Sequence, residues 1–126
     1  GGPGADQINW GAAFGNQPTC EINGSSGNES ITCKSNCDAS GGTGADLFII
    51  SLSNFITANA VTLHGNDNND VFKFQGISDT TVNLILDGGI ASDTATCLTA
   101  ENNPTTFAAM NVNVVSLVSI ETNNCD

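Results

Sequence analysis

Apolar residues recur at every second position in short stretches: Ile8 and Trp10, Cys37 and Ala39, Phe48 and Ile50, Val61 and Leu63, Phe72 and Phe74, Leu84 and Leu86, Ala95 and Cys97. A period of two marks strands that bury one face. The stretches are separated by Gly, Asn, Asp and Ser, the residues of tight turns. Phe55 and Ile77 add one further apolar position each in the later stretches. Residues 110–121, "MNVNVVSLVSIE", alternate and then become denser in apolar residues, which predicts a last coil or a terminal strand pair.

The turns between the strands repeat. "GGPGADQIN" (1–9), "GGTGADLFI" (41–49), "GNDNNDVFK" (65–73) and "GGIASDTAT" (88–96) all carry Gly at the first place and Asp at the sixth, namely Asp6, Asp46, Asp70 and Asp93. Ile8, Phe48, Phe72 and Ala95 stand at the eighth place, and Trp10, Ile50, Phe74 and Cys97 two places further on. Strand, turn and strand at a 23–24-residue period predict an all-β chain. The expected architecture is a parallel β-solenoid of β-helix or β-roll kind, a single domain over 1–126, in which like positions of successive coils stack. The interval from Gly1 to Gly41 is longer than the later ones. The excess is assigned to residues 11–36, read as a surface loop insertion within the first coil and stapled by a Cys20–Cys33 disulfide. That segment also holds glycosylation tripeptides at Asn23 and Asn28.

Composition narrows the function classes. Two lysines face thirteen carboxylates, nine of them Asp, for a net charge of −11. Such a chain cannot neutralise a phosphate backbone, so nucleic acid is excluded as a partner, and an anionic membrane surface is disfavoured. The longest strongly apolar run, 47–50, is far too short for a membrane span. Five cysteines lack zinc-site spacing and read as disulfides of an extracellular or cell-surface protein, with one thiol left over. Gly1 opens directly on a complete motif, which reads as a processed mature chain or a segment of a longer one.

The pattern G-G-x-G-x-D-x-U-x, with U a large apolar residue, resembles the nonapeptide of the repeats-in-toxin (RTX) family of extracellular calcium-binding β-rolls. The first two copies match at every specified place; the third has Asn at places two and four, and the fourth has Ala91 at place four and the small Ala95 at place eight. The coil is wider than the family's and carries the motif on one edge. The resemblance implies Ca²⁺ held between successive turns, with Asp6, Asp46, Asp70 and Asp93 as ligands, Asp67 and Asp87 nearby, and Gly41, Gly65 and Gly88 shaping the turns. Read without a metal, the same residues form a ladder of Asn/Asp/Gly turns whose Asp side chains accept backbone N–H bonds.

Catalytic candidates are sparse. His64, the sole histidine, falls at a strand end, and Trp10, the sole Trp, falls in an apolar column. The expected role is therefore non-enzymatic: a secreted calcium-binding solenoid that stacks head-to-tail with further copies into a filament or surface layer. The alternative is a solenoid segment of a larger adhesin or toxin that binds glycan or ice, and a polysaccharide-active β-helix enzyme is a third reading.

Overall fold

The computed structural model describes residues 1–11, 19–55 and 60–126. The expected loop of 11–36 thus lies in part, at 12–18, outside the described residues. The strands fall into two sheets. The first holds β1 (Gly2–Pro3), β3 (Cys20–Asn23), β4 (Ser25–Ser26), β6 (Cys37–Thr43), β8 (Ala60–Asp67), β10 (Val82–Asp87) and β12 (Val112–Val118). The second holds β2 (Gln7–Trp10), β5 (Ser30–Cys33), β7 (Leu47–Ser51), β9 (Val71–Gln75), β11 (Thr94–Leu98) and β13 (Thr122–Asn124).

All pairings between these strands are parallel. The first sheet runs β1-β4-β6-β8-β10-β12, with β3 also on β6, and the second runs β2-β5-β7-β9-β11-β13. From β6 onward each strand lies in the opposite sheet from its predecessor, so neighbours within a sheet are one repeat apart. The fold is all-β, with parallel strands in two sheets, and is compatible with the expected solenoid. One pass through both sheets is a tier, and the described residues form six.

The alternation in sequence becomes inside and outside. In β7, β9 and β11 the buried positions are every second residue. Strand register aligns Ile8, Ile31, Phe48, Phe72 and Ala95 into one column of the second sheet, and Trp10, Cys33, Ile50, Phe74 and Cys97 into the next. The first sheet aligns Cys37, Val61 and Leu84, and beside them Ala39, Leu63 and Leu86. These residues form one core. Phe48 and Phe72 stack with ring centroids 4.7 Å apart, the spacing of adjacent strands. Burial of each such ring stabilises by on the order of 2–3 kcal/mol.

Three expectations are corrected. Residues 20–33 are not a loop insertion but a further tier: Cys20–Asn23 and Ser25–Ser26 pair with β6, and Ser30–Cys33 pairs with β2 and β7. The turn inside it, "GSSGNES" (24–30), follows the motif with Glu29 in the acidic place. The expected Cys20–Cys33 bridge is replaced by Cys33–Cys37 and Cys97–Cys125, and Cys20 is a free thiol. Cys33 and Cys37 both point into the core at the ends of consecutive strands, which a short corner brings together. Ile77 is exposed, and Ser78 takes the inner position, its hydroxyl donating to the Phe55 carbonyl at 3.1 Å.

Beyond β11 the chain makes an antiparallel bridge from Leu98 to Pro104 and a short 3-10 turn at Ala108–Met110. Phe107 and Met110 are buried there, with Phe107 edge-on to Phe74 at 5.1 Å. The Cys97–Cys125 disulfide joins the fifth and sixth tiers.

Candidate functional site, a column of buried carboxylates

The turn geometry explains the motif place by place. Its second place has positive φ in every copy: Gly2, Ser25, Gly42, Asn66 and Gly89. So has its fourth: Gly4, Gly27, Gly44, Asn68 and Ala91. Gly and Asn enter this region at little cost, whereas Ala91, at φ 95°, is strained. The first-place glycines are needed for a different reason. A Cβ on Gly41, Gly65 or Gly88 would collide with the second carboxylate oxygen of Asp46, Asp70 or Asp93 in the same turn. Gly1 stands in the same relation to Asp6, and Gly24 to Glu29.

The sixth-place acids point inward and form a ladder. The Glu29 N–H donates to Asp46 Oδ1, the Asp46 N–H to Asp70 Oδ1, the Asp70 N–H to Asp93 Oδ1, and the Asp93 N–H to Glu121 Oε2, each at 2.8 Å. The partners are 17, 24, 23 and 28 residues apart in sequence, so every bond joins neighbouring tiers. The backbone adds a second set. The N–H groups of Leu47, Val71, Thr94 and Thr122 donate to the carbonyls of Glu29, Asp46, Asp70 and Asp93. Asp46, Asp70, Asp93 and Glu121 thus each hold their tier to the one before it through both the side chain and the residue that follows.

In Asp46, Asp70 and Asp93 only one carboxyl oxygen is used. Asp46 Oδ2, Asp70 Oδ2 and Asp93 Oδ2 are buried with no hydrogen-bond partner, as are Asp6 Oδ2 and both oxygens of Glu29. Asp46, Asp70 and Asp93 are each no more than 2 % exposed. Desolvation disfavours the charged form. Burial pushes Asp70 up to about 7; the Asp46 N–H it accepts pulls the other way, and the charges of Asp46, Asp93 and Asp67 add to the rise. Burial likewise raises Asp93, against the Asp70 N–H, with Glu121 and Asp87 adding to the rise. Glu29 is raised by burial first and then by the facing carboxyl of Asp46, and Asp46 is raised by burial.

The structure therefore gathers Asp46, Asp70 and Asp93 into one column with Gly41, Gly65 and Gly88 against it. Asp6 continues the motif at the first tier, half-buried. Asp67 and Asp87 stand apart: Asp67 is exposed at the end of β8, and Asp87 Oδ1 accepts the Gly89 N–H at 3.0 Å. Two members of the column were missed in the sequence, Glu29 and Glu121. Glu29 was legible, because Gly24, Gly27 and Ile31 keep their motif spacing around it. Glu121 had no such signal: Ser119 replaces the motif glycine and the turn is cut short.

The unpaired oxygens are carboxyl oxygens stacked tier on tier, and when ionised they are the hard donor type that Ca²⁺ takes. Among the described residues no three His, Cys, Asp or Glu side chains converge on one point. No helix among the described residues is long and apolar enough to cross a membrane. No family model, curated protein or solved structure matches the chain, so its function is read from this column alone.

Proposed function

We propose that the chain is a parallel β-solenoid that serves as a calcium-bound structural module of an extracellular or cell-surface assembly, with no catalytic role. The observation that carries this reading is the column of buried carboxylates with one oxygen bonded and one unpaired. Stacked anions out of water are unfavourable unless protonated or neutralised by a cation. At neutral pH and extracellular calcium levels, Ca²⁺ is the neutralising species that hard carboxylate oxygens select. Asp46, Asp70 and Asp93 are the proposed ligands. Two disulfides fit an oxidising compartment.

Head-to-tail assembly draws support from the edge strand β12. Val114, Val115 and Val118 are exposed on it, beside a groove of about 420 Å³ lined in part by Phe107, Val112 and Cys125. Among the described residues no strand pairs with the outer edge of β12, and an apolar, unpaired strand edge is a template for another strand. Calorimetric titration with Ca²⁺ tests the module: the wild type takes up the ion with measurable heat, and Asp70→Asn takes up less. Heat-free titration of the wild type contradicts the metal. Electron microscopy with and without chelator tests the assembly, and isolated monomers under both conditions contradict it.

A further inference from the structure

Three of the five cysteines meet where the second tier passes into the third. Cys20 opens β3 and Cys37 opens β6, and the two are Cα partners in parallel register. Register partners on adjacent strands present their side chains to the same face, and both residues belong to the core or pack against it. Adjacent strands lie about 4.7–4.9 Å apart, inside the Cα separation of about 4.4–6.8 Å that a disulfide spans. Cys37 is already bonded to Cys33, with their Cα atoms 6.4 Å apart. One sulfur thus has a bonded partner across the corner and a free thiol beside it.

The three differ in access. Cys33 and Cys37 are at most 1 % exposed, so a thiol in solution reaches neither sulfur. Cys20 is half-buried, and its S–H donates to the Glu21 carbonyl at 3.6 Å. Cys97 and Cys125, also buried, have no third cysteine beside them because the other three lie at the corner.

We infer that Cys20, Cys33 and Cys37 form a thiol–disulfide exchange unit whose solvent-side member is Cys20. In the exchange the Cys20 thiolate attacks Cys37 Sγ. The Cys20–Cys37 bond forms as the Cys33–Cys37 bond breaks, and Cys33 leaves as a thiolate that takes up the proton Cys20 gave up. One disulfide is lost and one gained, so no oxidant or reductant is consumed. The bridge moves from the corner between the two sheets to the boundary between two tiers of one sheet. A small-molecule thiol can then attack Cys20 Sγ, forming a mixed disulfide there and releasing Cys37 as a thiol. The inference is independent of the calcium reading.

Disulfide mapping tests it. The oxidised protein is held folded at neutral pH, quenched in acid, unfolded, alkylated and digested. Cleavage after Glu21, Glu29 and Lys34 puts the three cysteines on separate peptides. The exchange unit predicts alkylation divided between Cys20 and Cys33, a Cys20–Cys37 linked peptide, and no label on Cys97 or Cys125. Label confined to Cys20 overturns it, and a Cys20–Cys33 linked peptide in place of Cys20–Cys37 overturns the register assignment. As a second measurement, Cys33→Ser is oxidised with glutathione disulfide. A Cys20–Cys37 bond supports the unit, and alkylation of both residues contradicts it. The wild-type partition stands whether or not that variant folds.

Discussion

Asp70 Oδ1 accepts the amide proton of Asp46 at 2.8 Å, across 24 residues of sequence, while its Oδ2 lies buried with no partner. The same relationship links Asp70 to Asp93 one tier on. A single side chain therefore does two opposed things. It closes a hydrogen bond between tiers, and it carries a charge into a place that water does not reach.

Substitutions at Asp70 separate these two effects. Asp70→Ala leaves the Asp46 N–H buried without an acceptor and should destabilise by about 1–3 kcal/mol. Asp70→Asn keeps an acceptor for that N–H and removes the buried charge. In chelator at neutral pH it should melt at or above the wild type, and well above Asp70→Ala. Thermal unfolding of the three proteins checks the order, and an Asn variant as weak as the Ala variant contradicts it.

Without a metal, stability should fall as pH rises. A carboxyl that titrates higher in the folded than in the unfolded chain favours folding fully below its unfolded value of about 4. That contribution is lost as pH rises through the folded value, about 7 for Asp70. Asp93, also raised, acts in the same direction. In chelator the melting temperature should therefore be higher at about pH 5 than at about pH 8. A melting temperature that climbs over this range contradicts the buried, unpaired state of the column.

The motif glycines make two different predictions. Gly65→Ala sets a methyl group against Asp70 Oδ2 and the Gly88 carbonyl, and should cost about 1–3 kcal/mol by overpacking. The cost should shrink in an Asp70→Ala background, because one of the two obstructing groups is gone. Equal losses in both backgrounds, measured by denaturant unfolding, contradict the proposed contact.

Ala91 predicts a gain. It occupies the fourth place of its turn at φ 95°, where three other copies carry Gly. Ala91→Gly relieves that strain and should stabilise by about 1 kcal/mol, even though glycine normally loosens the unfolded chain. A melting temperature lowered by this substitution contradicts the assigned turn conformation.

Much of this was legible in the chain. Alternating apolar residues foretold the columns through Phe48, Phe72 and Ala95 and through Val61 and Leu84, because burial of one strand face is a local pattern. The inward acids Asp46, Asp70 and Asp93 were legible through their fixed distance from a motif glycine. What failed was substitution within the pattern. A search keyed on Asp passes over Glu29, so a whole tier was read as a loop, although Gly24, Gly27 and Ile31 stand at their places. The disulfides failed for a different reason. Cys33 is close in sequence to both Cys20 and Cys37, and only the corner between sheets decides which sulfur it meets. The reason for Gly65 also lay out of reach, since the sequence does not show that a carboxylate oxygen packs against its Cα.

The central claim is that the carboxylate column is neutralised by calcium, and thermal unfolding near neutral pH with millimolar Ca²⁺ or with chelator tests it most directly. The account predicts a clearly higher melting temperature with Ca²⁺ for the wild type and a much smaller rise for Asp70→Asn. A wild-type melting temperature that is the same under both conditions contradicts it.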